Sequence, residues 1–146
     1  MSIFEMVEQF NKQVIGIDRM GMCSIQDESE MKFLVGSIRE ELEEYKEAHG
    51  QDFIAEIDAL MDLIYFAAGG LTRMGVPHQL STAIFKAIHT SNMTKSKGKK
   101  ENREVTHDLD AIKPDGWLSP ERAIAKLLEC HKCSVGGLCH DEGMVA

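Results

Sequence analysis

The chain has no apolar run approaching the length of a bilayer span, and its first residues, with Glu5 and Glu8 close behind Met1, have neither the basic start nor the apolar stretch of a secretory signal. Both absences argue against a membrane partner and make a cytoplasmic location the expectation. Cysteine is nearly missing from the body: of four, only Cys23 precedes residue 130, which is not the spacing of a disulfide-stapled domain. Basic residues are in short supply, 16 against 24 acidic ones, and the net charge of −8 repels a phosphate backbone. A nucleic-acid polymer is therefore not expected as a partner, whereas a small phosphorylated ligand bridged by a metal is compatible with this charge. No internal repeat, no long low-complexity tract and no alternating pattern strong enough for a strand is present.

What remains is 146 residues, 43% hydrophobic and 27% charged, enough for one domain with a single core. Helical periods dominate it. Ile3, Met6, Val7 and Phe10 recur behind Ser2, predicting a helix from about 2 to 14. Residues 16–26, with two glycines and no period, read as a loop. A second helix, from 27–29 to about His49, lines Leu34, Val35, Ile38, Leu42 and Tyr45 along one stripe and stops at Gly50. The third, from about Asp52 to Met74, carries Asp62 as its one charge between Ala59 and Leu71, so it is expected to be buried on most sides. A fourth runs from about Pro77 to Thr94 with Leu80, Ile84, Ala87 and Ile88 inward. A basic segment read as mobile follows (Lys95, Lys97, Lys99, Lys100, Arg103), then a turn at 113–117 and a short helix opened by Ser119 and Pro120. From Cys130 onward no helical period is visible.

The chemistry lies on the second and third helices. Glu41 and Glu44 are one turn apart and project from the same side, but acidic pairs of this kind are common on solvated faces. Asp58 and Asp62 are different, because they sit at i and i+4 on a segment too apolar for a solvated face. Two buried like charges cost several kcal/mol, roughly, unless a cation or donor compensates them. One answer is a metal shared with the acids of the neighbouring helix. The other is an Arg or Lys partner for Asp62, or bonds from Tyr65 or hydroxyl side chains. Four oxygen donors with no His or Cys among them suit Mg²⁺ or Mn²⁺ rather than zinc. Near the end of the fourth helix His89, Asn92 and Lys95 offer amide and cationic donors to phosphates or a base edge.

Taken in order, Arg39-Glu40-Glu41-Leu42-Glu43-Glu44, Ile57 through Tyr65, and His89 through Lys95 resemble the MazG-like, phosphoribosyl-ATP pyrophosphohydrolase-like branch of the all-α NTP pyrophosphatases. Ile112-Lys113-Pro114-Asp115-Gly116-Trp117 resembles a stretch that follows the helices in some members. The resemblance covers residues 1–125, leaving 126–146 as a Cys/His-containing tail. It implies an all-α bundle completed by dimerisation, as a homodimer or dimer of dimers, and Mg²⁺-dependent hydrolysis of a (deoxy)nucleoside triphosphate to monophosphate and pyrophosphate. Glu41, Glu44 and Asp62 match its catalytic acids, Asn92 and Lys95 its nucleotide contacts, and Lys113 joins His89 as a further substrate contact. Where the family pattern often has Glu, this chain has Ala59; Asp58, or less readily Glu56, is the candidate substitute, which leaves the number of metal ions open.

In the tail, Cys130, Cys133, Cys139 and His140 supply enough soft ligands for one Zn²⁺, the alternative being a flexible tail with reduced thiols. Two rival functions remain: hydrolysis of phosphoribosyl-ATP at the same metal site, and a non-catalytic helical dimer that binds nucleotide or a protein partner. The absence of Glu-x-x-His on the second and third helices disfavours a di-iron bundle.

Overall fold

A computed structural model describes residues 1–19, 21–100 and 107–136, the last four of these by their backbone alone. The described residues are mostly helical, as an all-α NTP pyrophosphatase fold requires, and divide into two compact units, Met1–Thr82 and Ala83–Ala146.

In the first unit α1 (Ile3–Phe10) opens on a capping box: the Glu5 N–H donates to Ser2 Oγ and the Ser2 N–H to Glu5 Oε2, both at 3.2 Å. The helix expected through Val14 changes pitch at Asn11 instead. Asn11 Nδ2 donates to the Val7 carbonyl at 2.9 Å, competing with the backbone ladder, and residues Asn11–Ile15 form a π-helical turn that Gly16 ends at φ 79°. The next helix, α2 (Glu28–Ala48), starts where Asp27 accepts from the Glu30 N–H at 2.9 Å. After a tight turn, Asp52 caps α3 (Phe53–Arg73) through the N–H groups of Ile54 and Ala55. Glu56 closes that turn, accepting from the Gly50 N–H at 2.7 Å with His49 Nδ1 3.0 Å from the same oxygen.

α3 is the central element, but it is not buried on most sides. Ala59, Ala68, Gly69, Gly70 and Thr72 are covered, whereas Ile57, Leu60, Met61 and Ile64 stay 44–59% exposed. The physical reason is that, among the described residues, α3 packs mainly on α1 and α2, which leaves the face carrying Ile57, Leu60, Met61 and Ile64 uncovered. The α2 stripe behaves likewise: Leu34, Ile38 and Tyr45 are half-buried, Val35 and Leu42 exposed. Helices α2 and α3 approach closely at Gly70, where an added Cβ would meet Leu34 Cδ2 at 2.7 Å. Beyond α3, Gly75 (φ 78°) lies so near Met22 O and Arg19 O that a Cβ would stand 2.5–2.6 Å from them. The loop is tied there by the Gly21 N–H on Gly75 O and the Ser24 N–H on Met74 O, each 3.0 Å. Glu8 accepts from the His78 N–H at 2.7 Å and so caps α4 (His78–Met93), which crosses the boundary between the units.

In the second unit the basic segment begins as a strand. β1 (Ser96–Gly98) pairs antiparallel with β2 (Asp110–Ile112), with Lys97 opposite Ala111. The pairing is three residues long on each side, too short to show as alternation in the sequence. Arg103 lies outside the described residues. α5 (Glu121–Gly136) is also longer than expected, since it continues through Cys130 and Cys133 where no period was visible, and the 125/126 boundary falls inside it. No helix among the described residues is long and apolar enough to cross a membrane.

Candidate active site

The close approach of Leu34 and Gly70 and the tight turn at 49–52 fix how α2 and α3 run past one another. Two turns along α2 from Leu34 is Glu41, and about two turns back along α3 from Gly70 is Asp62, so antiparallel packing brings the two acids level. Both line one cavity of about 330 Å³, with Phe10, Phe33, Tyr65 and Phe66 among its walls and Gly69 and Gly70 giving it depth. Phe10 and Tyr65 meet edge to face, ring centroids 5.7 Å apart. Roughly 16 Å along α3 from Asp62, Arg73 closes the lining; its guanidinium bonds Glu30 at 2.7 Å and lies 4.6 Å over the Phe33 ring.

The acids act on one another electrically. Burial first, then the charges of Glu44, Asp62, Glu40 and Asp58, push the Glu41 carboxyl above its ordinary value. The charges that act on Glu41 thus come from both α2 and α3. Among the described residues no Lys, Arg or His forms an ion pair with Glu41, Glu44, Asp58 or Asp62, and no side chain hydrogen-bonds Asp62. Among the described residues, then, Asp62 has no basic partner.

The burial assumed for these acids is only partly present. Glu41 and Asp62 are half-buried, while Glu44 and Asp58 are exposed, and among the described residues no three acidic, His or Cys side chains stand close enough together to hold a metal ion as they are placed. The donor chemistry nonetheless fits a hard cation: oxygen ligands alone, without a basic partner, around a carboxyl made more basic by its neighbours. Glu44 and Asp58 have no partner to hold their rotamers in place. Ala59, the position of the missing acid, is 3% exposed, so a carboxylate there would sit in the packed core of the unit. Glu56 is committed to the α2–α3 turn and is removed from the candidate ligands.

In the second unit, His89 and Asn92 are exposed on the last turns of α4, Lys95 follows half-buried, and Lys113 is exposed after β2. Of the zinc candidates, Cys130 is exposed on α5; the Cys133 side chain, Cys139 and His140 lie outside the described residues. Sequence reasoning missed the aromatic walls of the cavity. Their signals were Phe10 on the apolar face of α1, Tyr65 one turn from Asp62, and the adjacent Gly69 and Gly70 that let α1 and α2 pack closely on α3.

A family model described as phosphoribosyl-ATP pyrophosphohydrolase matches residues 24–92, a little under half of the chain. No curated protein matches it. The matched stretch holds all four carboxylates together with His89 and Asn92, and it supports a pyrophosphohydrolase, a hydrolase acting on acid anhydrides. Residues 24–92 are thus similar to a phosphoribosyl-ATP pyrophosphohydrolase domain, a family within the MazG-like, all-α NTP pyrophosphatase superfamily.

Proposed function

We propose that the protein hydrolyses a (deoxy)nucleoside triphosphate to the monophosphate and pyrophosphate, with Glu41, Glu44, Asp58 and Asp62 holding Mg²⁺, or Mn²⁺ in its place. What carries this reading is that Glu41 of α2 and Asp62 of α3 line one aromatic-walled cavity and that, among the described residues, neither has a basic side chain paired to it. When bound, such an ion supplies charge neutralisation on the departing pyrophosphate. Whichever of Glu41 and Glu44 the ion does not fully engage would accept the proton of the attacking water. Asp62 holds its charge on the opposite wall. The walls offered by Phe10, Phe33 and Tyr65 suit the flat face of a base. His89, Asn92, Lys95 and Lys113 are the polar donors offered to phosphate or base edge.

The uncovered apolar side of α3, Ile57, Leu60, Met61 and Ile64, supports assembly as a homodimer or dimer of dimers, in which a second copy covers it. A second substrate reading, phosphoribosyl-ATP, is favoured by the description of the matching family.

Pyrophosphate release measured across the ribo- and deoxynucleoside triphosphates and phosphoribosyl-ATP, with Mg²⁺ and with chelator, tests the proposal. Release from a triphosphate that stops with chelator is expected. Release from phosphoribosyl-ATP alone transfers the assignment to the second substrate, and none from any of them removes the enzyme.

A further inference from the structure

Trp117 is the chain's only tryptophan, and every contact described for it lies within the second unit. Its own N–H donates to Pro114 O at 3.1 Å, closing a turn in which Gly116 has φ 72°, and this turn presents the indole to the last turn of α4. There Nε1–H donates to Ser91 O at 3.0 Å, while the Ser91 hydroxyl donates to Leu118 O at 2.8 Å. These two bonds fix the ring against the helix end.

Two ammonium groups lie against that ring. Lys113 Nζ is 4.4 Å and Lys95 Nζ 5.2 Å from its centroid. The neighbouring lysines are differently placed: Lys99 and Lys100 reach Asp108 and Asp110 at 4.0 and 3.7 Å. Lys95 and Lys113 form no ion pair with a carboxylate among the described residues. Two cations gathered on one ring repel each other, and the ring's quadrupole offsets only part of that repulsion. A divalent anion bridging them would offset the rest.

We propose that Trp117 is a positioning residue, which holds Lys95 and Lys113 in place as a two-point clamp for a pyrophosphate group, whether of a bound nucleotide or of the released product. The inference rests on the proposed hydrolysis only for the identity of the anion. Inorganic phosphate, with a single phosphorus centre, fills one point of the clamp and binds more weakly than pyrophosphate.

The test titrates inorganic pyrophosphate into the full chain without metal and follows the emission of Trp117. A saturable change is expected, because the anion settles on the two ammonium groups while they stay against the indole and so changes the charge beside the ring, and it weakens at least about fivefold in Lys95→Gln and in Lys113→Gln. Calorimetry with the same anion reads the tryptophan variants. Trp117→Ala weakens binding about fivefold although it removes no charge. Trp117→Phe recovers part of the loss by restoring a ring face, and it decides the matter alone where Trp117→Ala does not fold. Wild-type affinity in Trp117→Ala, or no binding in a folded Trp117→Phe, overturns the clamp, as does an emission change that persists in the double lysine variant or never saturates. Binding as described without hydrolysis of any triphosphate leaves the clamp standing and removes the function; hydrolysis without pyrophosphate binding does the reverse.

Discussion

Replacing Glu41 with Gln separates what this carboxylate does for catalysis from what it does to the fold. Burial and the charges of Glu44, Asp62, Glu40 and Asp58 raise its carboxyl above 4.5, so the folded chain binds that proton more tightly than the unfolded chain. The stability it contributes is therefore fully present below the unfolded-state pKa and is lost as pH rises through the raised folded value. At neutral pH, ionised Glu41 destabilises the metal-free protein, and Gln keeps its size while removing its charge. One like-charge contact at helical spacing costs about 0.2–0.5 kcal/mol. The acids across the helix pair, screened by solvent at a half-exposed group, add roughly as much again. Glu41→Gln is then expected to melt about 2 °C higher than wild type at pH 7 in chelator, and level with it near pH 4. In saturating Mg²⁺ the order reverses. Wild type gains about 2.7 kcal/mol at a hundred times the dissociation constant, the variant gains less, and its turnover falls by about 10² to 10⁴. Thermal melting from pH 4 to 8, in chelator and in Mg²⁺, reads all of this. A variant destabilised in chelator at pH 7, or one with an undiminished gain from Mg²⁺, refutes the reasoning.

Glu56→Gln loses its charge at the α2–α3 turn and is expected to cost about 1 kcal/mol by denaturant titration with kcat unchanged, since Glu56 is spent on Gly50 and His49. Gly70→Ala drives a methyl to within 2.7 Å of Leu34 Cδ2 and is expected to cost about 1–3 kcal/mol in the same titration. Leu60→Glu on the uncovered side of α3 is expected to shift the mass measured by light scattering to that of a monomer; an unchanged mass rules out that face as the interface.

The helices were legible because their signals are local. Ser2, Asp27 and Asp52 each cap the helix they precede, and apolar residues at helical spacing mark the covered faces. The spacing of Glu41 from Glu44 and of Asp58 from Asp62, about one helical turn in each pair, was legible for the same reason, but not that Glu44 and Asp58 would be exposed. Other features depend on partners remote in sequence. The π-turn at Asn11 comes from one amide reaching the Val7 carbonyl, a competition that periodicity does not record. The strand Ser96–Gly98 exists through its partner Asp110–Ile112. The exposure of Leu60 and Met61 was misjudged because an apolar helix declares that it needs covering without saying which surface covers it. Trp117 stood out in its motif, but its place against Lys95 and Lys113 required three-dimensional contacts.

The most direct measurement on the carboxylates is electron paramagnetic resonance of Mn²⁺ added to wild type and to Asp62→Asn. Acids converging from α2 and α3 predict loss of the free-ion signal in wild type and affinity at least about tenfold weaker in the variant. Equal affinity in the two, or a free-ion signal that wild type never diminishes, would contradict a divalent-cation site on these helices.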